Sequence, residues 1–292
     1  MLKKIAIIGT SPIMTILAKE MSKRNDVTIF EKNSNIGGAW SLSKYKKIFF
    51  ADKTNLIIPN DKKDAKFIND MNKYLIKKLK LKIKKTKYKI FLQKTANFKP
   101  NFFYKYNINK LLKKNFLNKI KIIKQEVKNI NLDKKAKILN TEFDQVYIPM
   151  YSSINKIKIK NKTHNSNYKK ITSKHFFLLA EKINNSDFLY KEDFNEIFDR
   201  AQIIKKKASN AFTGRIRKKF KKKNKGFLMK NLGFTYQKLH FSKVISYTNY
   251  FRNEKQKRDL NIICNKSKLI NLIDTSNFVT GYSQIKKYFH AK

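Results

Sequence analysis

The chain has 292 residues, of which 68 are Lys or Arg and 20 are Asp or Glu, giving a formal net charge of +48, and 41% are hydrophobic, with 23 Phe. That apolar content supports one large or two interleaved domains with a real core and excludes a disordered chain. No run of 18 apolar residues is present, which excludes a membrane-spanning helix of the usual kind.

The charge has two candidate origins. A surface that collects phosphates is one. Only six of the basic residues are Arg, however, and the rest are Lys, accompanied by abundant Asn and Ile. Those are residues that an AT-rich genome over-supplies. A surface built for phosphate or base readout draws on the planar Arg fork. Compositional bias is therefore the expected origin, with non-specific, salt-sensitive attraction to polyanions as its consequence and no specific nucleic-acid partner. The single Cys264 cannot form an internal disulfide, which points to the cytoplasm. Four scattered His and one Cys do not make a zinc site, so no metal is expected. The first strand begins almost at Met1, and no signal peptide is expected.

In chain order, Ile5–Ile8 is a short apolar run that breaks at Gly9. Pro12 then opens a segment with Ile13, Ile16, Leu17 and Met21 at helical spacing, as a first-turn proline should. A β-rich run, Val27–Phe30, ends on Glu31. This predicts a βαβ unit. Gly9 permits a sharp turn out of the strand, and the N–H groups at the helix start are free to meet a diphosphate. Glu31 falls 22 residues after Gly9, near the spacing of an acidic residue that accepts ribose hydroxyls. Gly37-Gly38 offers a second close backbone approach. A plain strand–helix–strand without a ligand accounts for the same pattern.

Here the chain resembles the FAD-dependent oxidoreductases of the amine oxidase and UDP-galactopyranose mutase type. Their N-terminus runs strand, glycine turn, helix, strand, acidic residue and GG pair, matched here by Gly9, Glu31 and Gly37-Gly38-Ala39-Trp40. The family's second glycine is Ser11 and its third is Met14. Met14 should push the helix away from the strand.

Ser41–Asn60 reads as loop and short strand. Asp61–Leu81 is the clearest helix, with Ala65, Ile68, Met71, Leu75 and Leu79 on one face and Asn60 or Asp61 as N-cap. Leu81–Ile83 and Tyr88–Leu92 read as short strands, and Asn107 as the cap of a helix through Leu111, Leu112 and Phe116. From Ile120 to Pro149 β runs alternate with Asn, Asp and Lys. This stretch resembles the family's crossover meander and its return strand, Asp144-Gln145-Val146-Tyr147-Ile148-Pro149. The resemblance implies that the Val127 backbone faces the adenine end of the cofactor.

Tyr151–Tyr168 reads as a crossing strand or loop into a second domain, His175–Glu181 as a buried strand and Leu239–Tyr250, rich in aromatic and β-branched residues, as strand-like. The acidic patch from Asp187 to Asp199 and the basic run from Arg215 to Lys225 read as solvated charge rather than as acid–base or phosphate sites. Leu260–Cys264 and Leu269–Ile273 read as strands, the last ending on Asp274, which could fill the family's acidic position at the end of its final strand. Tyr282–Phe289, preceded by Gly281, shows no small residues of the kind that let the family's last helix cover the flavin.

The expected fold is α/β: a Rossmann-type FAD/NAD(P)-binding sheet of discontinuous segments with an inserted α+β substrate domain. The expected divisions are 1–60 and 106–150 for the nucleotide-binding part, 61–105 and 151–245 for the substrate part, and 246–292 for the return. The resemblance implies an enzyme that uses bound FAD for hydride transfer from a small-molecule substrate. The residues it places at the cofactor are Gly9, Ser11, Pro12, Glu31, Gly37, Gly38, Trp40, Val127 and Asp274. No Ser–His–Asp order, paired-Cys motif or metal spacing marks a catalytic set. A degenerate relative without flavin, serving as a binding or scaffolding protein, and a basic nucleic-acid-associated protein are the rivals.

Overall fold

The computed structural model describes residues 2–40, 42–45, 48–51, 56–57, 62–86, 89–91, 103–106, 110–111, 114–181, 188–192, 198–205, 210–216 and 238–289. Two compact units are present, the first made of Met1–Phe49, Ile108–Ile171 and Asn249–Lys292, the second of Phe50–Asn107 and Thr172–Thr248.

The first unit is built on β1 (Lys3–Ile8), α1 (Pro12–Met21) and β2 (Asn25–Phe30). Both strands end in four consecutive buried residues, the pattern of a parallel sheet covered on both faces. Five strands lie in the order Ile270–Ile273, Gln145–Pro149, β1, β2, Lys121–Ile123, and every neighbouring pair is parallel. The doubly wound Rossmann arrangement follows, assembled from three separated stretches of chain.

One face of this sheet packs α1. Met14 is fully buried while α1 stays against β1 and β2, so the expected displacement of the helix does not occur; an unbranched thioether adapts to such a gap. On the other face Ala6, Ile8, Phe30, Val146 and Ile148 share a core with a second sheet and with the helix Glu254–Asn265. The second sheet runs Thr141–Phe143, Ala136–Ile138, Asn129–Leu132, Lys156–Ile159, Lys162–Asn165. Its strands alternate: Ile130, Leu132, Ala136, Ile138 and Ile157 face the core and Asn129, Asn131, Lys137, Lys156 and Lys158 are exposed. Within the stretch 151–168, Lys156–Ile159 and Lys162–Asn165 thus form a hairpin of this sheet in the first unit.

Two elements differ from expectation. Leu260–Cys264 is the second half of the helix Glu254–Asn265, capped by a reciprocal pair: Asn253 accepts from the Gln256 N–H, and Gln256 accepts from the Asn253 N–H. Leu260, Ile263 and Cys264 are buried at i, i+3 and i+4, helical rather than strand spacing. The last helix is Phe278–Ile285, started by Asn277, whose side chain accepts from the Thr280 N–H. It begins four residues before the expected segment, which brings Gly281 inside it.

A Cβ on Gly281 would stand 2.9 Å from Ile13 Cγ1 and 3.0 Å from the Asp274 carbonyl oxygen. The missing side chain is what lets this helix lie directly on α1. Gly281→Ala is therefore expected to destabilise the protein by about 1–3 kcal/mol, the usual cost of overpacking. A melting temperature equal to wild type would show that the two helices are free to separate.

In the second unit, a sheet runs Lys238–Phe251, Lys169–Glu181, Asn210–Ile216, Phe198–Lys205, Phe188–Glu192, Lys89–Phe91. A three-stranded sheet, Leu56–Ile57, Phe103–Tyr106, Ile83–Thr86, and the helix Lys62–Lys77 complete it. Ile68, Met71, Leu75 and Leu79 are buried, as the stripe predicts. The proposed caps Asn60 and Asp61 lie outside the described residues, as do Asn107 and Leu112. Lys114–Leu117 forms a short 3-10 turn in place of the helix expected through Phe116. Asp187, Asp193 and Glu196 of the acidic patch and most of the basic run also lie outside the described residues. The fold is therefore α/β, a discontinuous Rossmann sheet with an inserted α+β unit.

Candidate functional site

All five parallel strands of the first unit end on one side, at Ile8, Phe30, Ile123, Pro149 and Ile273. The chain order reverses between β1 and Gln145–Pro149, and the crevice outside such a switch point is where doubly wound sheets bind ligands. The residues read from the sequence stand on the segments that leave these strand ends: Gly9, Ser11 and Pro12 after β1, Glu31, Gly37, Gly38 and Trp40 after β2, Val127 after Lys121–Ile123, and Asp274 after Ile270–Ile273.

Gly9 takes φ +81°, a left-handed turn open to glycine, and its N–H donates to the Phe30 carbonyl at 2.7 Å. Across the switch point, a Cβ on Gly9 would lie 3.9 Å from Pro149 Cγ. Ser11 is the N-cap of α1 without a side-chain cap bond, and its buried hydroxyl has no partner among the described residues. No acidic residue stands in the first turn, and Pro12 brings no N–H. The start of α1 is thus an electropositive end with no acidic residue in its own first turn.

Glu31 is 2% exposed and ties the loops together. Its Oε2 accepts from the Thr10 N–H at 3.0 Å and from the Thr10 hydroxyl, and its Oε1 accepts from the Asn33 N–H at 2.8 Å. Thr10 Oγ1 in turn accepts from the Gly37 N–H at 2.8 Å. The glycine turn, the acidic strand end and the GG pair are therefore one hydrogen-bonded assembly, with one acceptor position left on Oε1. Gly37 and Gly38 take φ +113° and +54°, and nothing lies within 4 Å of where a Gly38 Cβ would be. Trp40 closes the turn, its N–H donating to the Gly37 carbonyl at 2.8 Å.

The third strand end carries a separate group. Val127 is buried, and its carbonyl accepts from the Ser153 hydroxyl at 3.0 Å. Beside it the Tyr250 hydroxyl donates to Glu126, and the Lys32 amine sits 4.0 Å over the Tyr250 ring. Burial pushes the Glu126 carboxyl up, but the Tyr250 hydroxyl, Lys128 and Lys32 outweigh it and hold the carboxyl below its usual range. Burial, reinforced by Glu126, pushes the Tyr250 phenol up, so it stays a donor. At the fifth strand end Asp274 Oδ1 accepts from the Ser276 N–H at 2.8 Å, a local turn that delivers the chain to the last helix. Cys264 is a buried thiol pushed up to about 12 by burial and is no nucleophile. Among the described residues no cluster of His, Cys, Asp or Glu could hold a metal ion, and no helix is long and apolar enough to cross a membrane.

Thr10, Asn33, Lys32 and Ser153 were not picked out in the sequence reading, and Tyr250 and Gly281 were named there without a role in the site. Gly281 alone had a legible signal, the Asn277 cap that places it inside a helix.

No protein-family model matches the sequence, and no curated protein matches it. Solved structures do share the fold. A candidate protoporphyrinogen oxidase from Exiguobacterium sp. 255-15 superposes with a TM-score of 0.65 at 7% identity, over 99% of this chain and 99% of that one. A fatty acid isomerase from P. acnes, described as producing CLA, superposes with a TM-score of 0.59 at 9% identity, over 98% of this chain and 97% of that one. The likeness covers both units in sequence extent, and at these identities it establishes the fold alone.

Proposed function

We propose that the chain is an FAD-dependent oxidoreductase of the amine oxidase type, acting on a small-molecule substrate. The observation that carries this reading is the single hydrogen-bonded assembly of Gly9, Thr10, Glu31 and Gly37 at the switch point of a discontinuous Rossmann sheet. A fold shared with a candidate oxidase over almost the whole chain supports it.

The residues present fit the cofactor. The Gly9 turn and the backbone N–H groups at the start of α1, where no acidic residue stands in the first turn, would hold the diphosphate. The open acceptor on Glu31 Oε1 would take a ribose hydroxyl, and the Gly37-Gly38 backbone presents no side chain to the ligand. Val127 and Asp274 would flank its two ends, as the family resemblance implies. When bound, the flavin supplies the hydride acceptor. The chain's contribution is to bind, orient and exclude water, and no catalytic side chain is assigned. The neighbours are named for an oxidation and an isomerisation, and this reading takes the first.

Purified protein is expected to hold FAD, seen as flavin absorbance released on denaturation, or to take it up when FAD is added. Colourless protein that takes up none would instead favour a degenerate Rossmann protein serving as a binding or scaffolding module. Ser11 and Met14, at the two missing glycines, would then be its marks.

A further inference from the structure

Arg252 is 0% exposed, the largest of the fully buried side chains, and among the described residues no carboxylate pairs with it. Its guanidinium is held by main chain instead. Nη1 donates to the carbonyls of Met150 at 2.7 Å and Ser152 at 3.0 Å, and Nη2 donates to the Ile154 carbonyl at 2.7 Å and to the Ser166 hydroxyl at 3.2 Å. The Tyr168 ring lies 5.3 Å from the guanidinium carbon. Burial pulls the group down to about 10, so it remains a cation at neutral pH. An unpaired buried charge is costly unless its donors are used. The fork meets three alternate carbonyls of one loop, a geometry that the point-like Lys ammonium does not reproduce.

That loop, Met150–Ile154, directly follows Pro149, the residue that faces Gly9 across the switch point. Its first N–H donates to the Ile273 carbonyl, and its Ser153 hydroxyl reaches Val127. It therefore joins three of the five strand ends.

We propose that Arg252 is a positioning residue that holds the Met150–Ile154 loop in the shape that forms one wall of the ligand crevice. Its consequence for cofactor affinity rests on the flavin reading; its hold on the loop does not. The test compares Arg252→Lys and the milder Ser166→Ala with Ile138→Ala, a core truncation in the second sheet of the same unit. Amide hydrogen exchange is followed in the ligand-free protein, and FAD affinity is measured by titration. Arg252→Lys should speed exchange across 150–155 at least tenfold while β1 and β2 stay protected, and should weaken FAD at least tenfold. Ser166→Ala should move both in the same direction by less. Ile138→Ala should lower the melting temperature without this local signature.

Unchanged exchange at 150–155, or a uniform rise like that of Ile138→Ala, overturns the proposal. A loosened loop with unchanged FAD affinity overturns the loop's place in the site. Wild-type protein that binds no FAD defeats the flavin reading, and the exchange result then decides the role of Arg252 by itself.

Discussion

Gly9→Val is expected to abolish FAD binding and lower stability together. Space is not the reason, because a Cβ at Gly9 would meet Pro149 Cγ at an ordinary 3.9 Å. Conformation is: φ is +81°, where an L residue costs about 1–2 kcal/mol and a β-branched one is a genuine outlier. A chain that escapes this strain rotates the turn, loses the Gly9 N–H bond to Phe30, and carries Thr10 away from Glu31. The assembly that shapes the crevice then comes apart at its first link. Ser11→Gly is the companion variant. Ser11 has φ −57° and no side-chain cap bond, so glycine there gives up a buried unpartnered hydroxyl and adds chain entropy to the unfolded state, two small opposing effects. It should leave FAD affinity unchanged or tighten it. Melting curves and FAD titrations on both variants decide the matter. A Gly9→Val protein that is less stable yet binds FAD as wild type does would remove the glycine turn from the site.

The β1–α1–β2 unit was legible because its signals are local and agree: an apolar run, a glycine break, Pro12 at the first turn and a helical stripe. The acidic strand end was legible from spacing. What Glu31 touches was not, since its bonds to Thr10 and Asn33 arise from the path of two turns rather than from any pattern in residue type. The helix Glu254–Asn265 was misread as a strand at Leu260–Cys264 because four apolar residues outweighed the Asn253 and Gln256 cap upstream of them. The last helix was not recognised, its cap Asn277 passing as a loop residue. Arg252 had no signal at all. Its carbonyl partners lie about a hundred positions earlier in the chain, and nothing local separates it from the other basic residues.

Glu31→Ala should be among the most damaging single changes to the first unit, and Glu31→Gln should separate its two roles. The alanine variant strands the Thr10 N–H and the Thr10 hydroxyl in a buried place and also removes the acceptor of the N–H of Asn33, an exposed residue. At about 1–3 kcal/mol for each unsatisfied group, the loss is several kcal/mol, a large part of a typical domain's stability. Glutamine keeps one oxygen. Its better orientation leaves that oxygen where Oε2 receives two donors and turns the NH2 toward the Asn33 N–H, where donor meets donor. One lost hydrogen bond at about 1–3 kcal/mol is the expected stability cost. The NH2 also replaces the one open acceptor on Oε1, so a charge-assisted bond to a ribose hydroxyl becomes a neutral one, and FAD should bind roughly tenfold more weakly. Lys66→Ala, on an exposed position of the helix Lys62–Lys77, is the control and should stay within about 0.5 kcal/mol of wild type. Urea unfolding and FAD titration are the measurements. Glu31→Gln matching wild type in both would show that this carboxylate neither braces the loops nor meets a ribose, whereas lost stability with full affinity would confine Glu31 to bracing.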